Sequence, residues 1–253
     1  MELNYPLSCF GEYLQSRGIK IHDEYAYASN KDLNTDRIFQ QIRLLNKFHQ
    51  ESAGFNDSRE EHLDSLIGKT TEKYQVDLKK LKRIIKNIKK EKPKNRLEEI
   101  LLLNEELYVN GAEAALNCTQ GEKYINLIKR SMTRGEICLG NPYFNNLRQE
   151  NNIIVSNINK CCYDMVEMDA IILFRKLRAK GYGYELKCLV ELFCREEVLD
   201  AYSYEYISSL MKYPYYFIKW SLRYNEAKGN WSSNDYLNKI INSQEMDGYE
   251  MRL

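Results

Sequence analysis

Asn141 and Asn146, five residues apart in ICLGNPYFNNL (137–147), are the first residues whose types and spacing suggest chemistry. A Gly-Asn after a short apolar run, with a second asparagine five positions on, has the spacing of a phosphoryl-transfer loop. Such a loop needs an acid at its first polar position, to orient an acceptor hydroxyl and take its proton. Asn141 is a neutral amide there and is no useful base at neutral pH. Other constellations are weaker. Only three histidines exist, and no Cys/His cluster has zinc-ligand spacing. His49 falls on or beside an apolar helix face and reads as a packed, hydrogen-bonded histidine, with no carboxylate or cysteine spaced nearby to assist it. Residues 76–92, VDLKKLKRIIKNIKKEK, present a lysine-dense face. Flanking acidic segments balance that charge, so the face reads as a solvated helix surface rather than a nucleic-acid site.

The composition sets the frame for these residues. The chain has 253 residues, 43% of them hydrophobic and 29% charged, which describes a folded globular protein. Four prolines and twelve glycines favour long helices over many tight turns. The formal charge of +1 selects neither nucleic acid nor an acidic membrane. Seven cysteines without a C-x-x-C motif read as reduced thiols, and MELNYPLSCFGEYLQ has neither the basic region nor the apolar core of a signal peptide. Synthesis in the cytoplasm without a leader is the expectation. No apolar span reaches twenty residues.

Periodicity predicts the elements. A short helix over 7–16 ends at Gly18, and the alternation of IKIHDEYAYAS (19–29) predicts one strand. A helix from Thr35 or Asp36 carries Ile38, Ile42, Leu45 and Phe48 on one face. A helix over 76–92 stops at Pro93 and Asn95, and RLEEILLLNEELYVNGAEAALN (96–117) predicts another long one packed against it. EICL and NNIIVSNI are short β-like runs around the NPYFNNLRQ loop, with a hairpin tip at 149–152. Helices return after Asp169, with Pro214 in a first helical turn and Ser232 or Ser233 capping the last helix. Tyr213, Tyr215 and Tyr216 suit either a contact surface or ordinary helix packing.

At residues 139–169 the order of features resembles the aminoglycoside-phosphotransferase-type kinases. LGNPYFNNL stands where they carry H-G-D-x-x-x-x-N, and IIVSNINKCCYD where their next strand ends in I-D-F/W-E. Within that kinase-like fold the chain is most similar to the spore coat protein S (CotS-like) family. That likeness lies in LLNKFHQESAGF, LIGKTTEKY, KCCYDMVEMD and KYPYYFIKWSLRYNEAKGNW, in order over most of the chain. It implies a mainly helical lobe with a small β-hairpin insert, over 36–253, whose loop and strand cover 137–159. Residues 1–35 would then be a vestigial nucleotide lobe, a short helix plus a strand. They offer Gly11 and Gly18 rather than a glycine-rich loop, and Lys20 is no convincing phosphate lysine.

The resemblance also places a metal-binding asparagine at Asn146 and a metal-binding aspartate at the position of Asn157, again an amide. With both acids gone, the expectation is a non-enzyme: a pseudokinase with a structural or interaction role in the bacterial spore coat. It would need no cofactor and would contact other coat proteins or itself. Its loop surface would be covered by the N-terminal segment, a second copy or a coat partner. The alternative is an atypical ATP-dependent phosphotransferase acting on a small hydroxyl- or amino-bearing substrate. Magnesium would then be held by Asn146 and Asn157, or with help from Asp164 or Asp169. Asp169 is expected instead to be a structural aspartate at a helix start.

Overall fold

In the computed structural model, the described residues are 8–22, 33–56, 63–182, 186–226 and 232–252. The chain runs α1 (Cys9–Ser16), β1 (Ile19–Ile21), α2 (Thr35–Ser52), α3 (Lys69–Glu91), α4 (Arg96–Leu103), α5 (Glu105–Leu116) and α6 (Gly121–Arg134). The strands β2 (Ile137–Cys138), β3 (Leu147–Gln149), β4 (Ile153–Val155) and β5 (Cys162–Tyr163) follow. The chain then runs through α7 (Glu167–Arg178), α8 (Leu186–Glu196), α9 (Ala201–Leu210), α10 (Tyr215–Asn225) and α11 (Ser233–Asp247). The mainly helical class with a small β insert is what the sequence predicts. The outer part of the predicted first strand, 23–29, lies outside the described residues.

α2 forms the spine that positions the site. Its four predicted apolar residues are all buried, and Asn34 caps its start by accepting from the Arg37 amide. α3 begins seven residues earlier than its lysine-rich stretch suggests, and its apolar stripe of Leu78, Leu81, Ile84, Ile85 and Ile88 is buried. Several of its lysines meet acids: Lys73 with Asp77, Lys82 with Glu113 and Lys89 with Glu105.

The long helix predicted over 96–117 is broken at Asn104. The side chain of this buried residue donates to the Ile100 and Arg252 carbonyls and accepts from the Arg252 amide. Asn104 keeps its own backbone bonds, to the Ile100 carbonyl and from the Tyr108 amide, while its side chain fastens the C-terminal segment where α4 ends. Ser232 and Asp235 form a reciprocal capping box at α11, as the sequence suggests, while Pro214 stands just before α10 rather than inside it. Tyr213 is buried and stacked on Tyr74 at 4.5 Å, the packing alternative for that tyrosine.

Two small sheets carry the loop. β3 and β4 form the expected antiparallel hairpin, with Leu147 opposite Val155, and β2 pairs antiparallel with β5. β1 joins the first sheet parallel to β4, with Ile19 opposite Ile153 and Ile21 opposite Val155. The N-terminal segment therefore covers the outer edge of the hairpin, one of the three covers expected. Phe10, Leu14, Ile19 and Ile21 belong to the same apolar core as the helices.

Candidate functional site

The loop between β2 and β3 is built on one buried carboxylate. Asp169, in the first turn of α7, accepts from the amides of Leu139 (2.6 Å) and Gly140 (2.9 Å). It is fully buried, as a structural aspartate at a helix start would be. Gly140 sits at φ +70°, and a Cβ there would collide with the Lys160 carbonyl. Only glycine lets the backbone turn so sharply against that strand connection.

Asn146 ties the far end. Its Nδ2 donates to the carbonyls of Asn141 (3.0 Å) and Asn157 (3.1 Å), and its Oδ1 accepts from the Asn157 amide (2.7 Å). The Asn146 side chain thus links the backbones of Asn141 and Asn157. The Asn157 side chain is itself engaged, accepting from the Asn159 amide at 2.8 Å.

These donors do not suit magnesium. The cation prefers charged oxygens, and the amide oxygens of Asn146 and Asn157 are neutral and already bonded. Asp164 and Asp169 do not repair this, because both are buried within the protein. Asp164 accepts from the Met165 amide, and burial pushes its carboxyl up to about 7. His49, Cys138 and Asp169 each offer an atom within 4.8 Å of the others. Each is satisfied without an ion, however, since Cys138 donates to the Met165 carbonyl and the other two bond one another.

His49 corrects one expectation. It is packed and hydrogen-bonded, but it does have carboxylate partners, supplied from 120 and 148 residues away. Its Nε2 lies 3.0 Å from Asp169 and its Nδ1 lies 2.6 Å from Glu197. Burial alone would lower its pKa, but the two carboxylates outweigh that and raise it to about 10. A buried imidazolium therefore bridges α2, α7 and the turn after α8. Gln41, one helix face away, donates to the Pro142 and Leu147 carbonyls and fixes both ends of the loop to α2.

Lys176 is the residue the sequence reading overlooks. It donates to Asn141 Oδ1 and lies 5.5 Å from the Tyr143 ring centroid. Burial lowers its pKa and repulsion from Lys160 adds to that. Its signal was available: Asp169 and Lys176 are seven residues apart on α7, two turns on one face, so an aspartate that anchors the loop brings that lysine to it. The position that would hold an acid thus carries an amide with an ammonium on its oxygen.

No family model matches the chain, and no curated protein does. Among solved structures, the chain is similar to an aminoglycoside phosphotransferase from Alicyclobacillus acidocaldarius subsp. acidocaldarius DSM 446. The TM-score is 0.70 at 14% identity, over 90% of this chain and 67% of that one. That likeness corrects the expectation of a non-enzyme. The scaffold is that of a named phosphotransferase, and its loop is held in place at both ends rather than collapsed. The absence of two acids does not by itself mark inactivity, because phosphoryl transfer depends on positioning and positive charge more than on a strong base. The chain has the kinase-like fold of the aminoglycoside phosphotransferases.

Proposed function

We propose that the chain is an atypical phosphotransferase, moving a phosphoryl group from ATP to a small hydroxyl- or amino-bearing acceptor at the loop 140–146. The observation that carries this reading is the Lys176 ammonium seated on Asn141 within a loop pinned by Asp169 and Asn146. Asn141 orients the acceptor by hydrogen bonding. Lys176, with Lys160 nearby, supplies charge for the equatorial oxygens of the transferred group. The acceptor oxygen or nitrogen bonds to the γ-phosphorus as the bond to the ADP oxygen breaks, and the acceptor proton leaves to water.

The test is phosphorus NMR of the chain with ATP and a panel of amino sugars and polyols, with and without a chelator. A new ester or phosphoramidate resonance, lost in Lys176→Met, supports the reading. No transfer to any acceptor, together with an unchanged thermal midpoint in millimolar ATP, overturns it.

The spore coat is proposed as the setting on the residue blocks that resemble the CotS-like family alone, with other coat proteins or a second copy as partners. A fluorescent fusion that gathers on the forming spore supports it. Even distribution through the mother cell overturns it.

A further inference from the structure

Lysines from two separate segments converge on residues 140–143. Lys176 and Lys180 come from α7 and the turn after it, and Lys160 from the connection between β4 and β5. Lys176 donates to Asn141 Oδ1, and its Nζ lies 5.5 Å from the Tyr143 ring centroid. The Lys180 Nζ lies 5.9 Å from the same ring. Lys160 is held against the start of the loop, since its carbonyl and Cβ are the atoms that a Cβ on Gly140 would strike. The spacing explains the α7 pair. Positions 169, 176 and 180 are separated by seven and four residues, so the aspartate that anchors the loop and two lysines share one side of the helix and its last turn.

The nearest carboxylate does not cancel this charge. Asp169 is fully buried, and its oxygens are taken by the Leu139 and Gly140 amides and by His49. None of the three lysines has an ion-pair partner among the described residues. Lys160 and Lys180 are exposed, so their charge faces solvent beside the loop. Tyr143, under Lys176 and Lys180, is buried and gives them an aromatic face to rest on.

A cationic acceptor, such as an amino sugar, would be repelled here, and a neutral polyol would gain nothing from the field. An anion would be drawn to Asn141 and held beside it. In the proposed transfer Lys176 and Lys160 serve the moving phosphoryl group, which leaves Lys180 for the acceptor.

Resting on the phosphotransferase reading, we infer that the acceptor is a hydroxylated anion, whose own carboxylate or phosphate is held by Lys180 while its hydroxyl meets Asn141. The hydroxyl oxygen bonds to the γ-phosphorus as the bond to the ADP oxygen breaks, and the hydroxyl proton leaves to water.

The test offers the whole chain gluconate, glycerol 3-phosphate, sorbitol and glucosamine at equal concentration with ATP, and follows the phosphorus resonances. One or both anions should be phosphorylated about tenfold faster than sorbitol, with glucosamine slowest, a preference that shrinks as salt is added. Preference for gluconate assigns a carboxylate, and preference for glycerol 3-phosphate a phosphate. Lys180→Gln should raise KM for the preferred anion roughly fivefold, the most that one exposed ion pair supplies, and Lys180→Glu should raise it further. Lys79→Gln, on the exposed face of α3, should leave it unchanged. Sorbitol or glucosamine accepting as fast as both anions overturns the inference and leaves the phosphotransferase reading standing, as does an unchanged KM in both Lys180 variants. If no acceptor is phosphorylated, the transfer reading falls, and calorimetric titration of the two anions decides the inference. Saturable binding weakened by Lys180→Glu supports the anion site, and an absence of such binding overturns it.

Discussion

Replacing His49 with glutamine tests the buried charge bridge most directly. In the wild type the imidazolium meets Asp169 at 3.0 Å and Glu197 at 2.6 Å, with all three groups shielded from water. Glutamine can donate to one carboxylate, which leaves the other buried without a counter-charge. Breaking such a pair costs about 3–5 kcal/mol. At roughly 2–4 °C per kcal/mol for a chain of this size, the midpoint should fall by about 6–20 °C.

The pH dependence gives an independent reading. The folded pKa, near 10, lies above the ordinary 6.5, so the histidine's contribution is fully present below pH 6.5 and is lost as pH rises towards 10. Between pH 7.5 and 9.5 the folded chain keeps a proton that the unfolded chain has released. Over those two pH units the wild type should lose about 3 kcal/mol from this group. In the variant that loss moves to lower pH, because an unpaired buried carboxylate takes up a proton and gives it back nearer neutrality. The assay is urea unfolding of both chains at half-unit pH steps. A cost below about 1 kcal/mol at pH 7, or equal slopes for the two chains above pH 7.5, would refute the charged bridge.

Three further outcomes follow from local geometry. Gly140→Ala forces a Cβ into the Lys160 carbonyl at positive φ, so it should destabilise by about 1–3 kcal/mol and abolish any transfer, read by urea midpoint and the NMR assay together. Asn104→Ala removes the two hydrogen bonds that hold Arg252 to the end of α4, and a third to the Ile100 carbonyl, and should cost about 1–3 kcal/mol, with early proteolytic loss of the C-terminal segment. Among the thiols, exposed Cys188 should react first with an aromatic disulfide reagent. Cys162 and Cys194, each pushed up to about 12 by burial, should react only on unfolding.

What the sequence made legible is what local spacing controls. The apolar face of α2 and the hairpin over 147–155 could both be read, because each is set by residues within a few positions of one another, whereas Asn157 was placed only by the family resemblance. The break at Asn104 could not be, because the partner that makes it favourable is Arg252, 148 residues on. His49 and Glu197 were equally out of reach for the same reason. α6 is a different case. Tyr124, Leu127, Ile128 and Ser131 stand at helical spacing in a strongly amphipathic segment, so α6 is legible from periodicity and the sequence reading overlooks it. Lys176 was legible once Asp169 had been assigned to the loop, since both lie on one face of α7.

The parallel pairing of β1 with β4 has a consequence for synthesis. Ile19 leaves the ribosome some 130 residues before Ile153, its partner. At about 5–20 residues per second, the first strand waits roughly 6–25 s for an edge to join. During that interval it is a short apolar ribbon with open backbone groups, guarded by Lys20 in its middle. Closing this sheet therefore waits on a segment made much later, and slowing translation through residues 22–152 should lengthen the time the first strand spends open to chaperones.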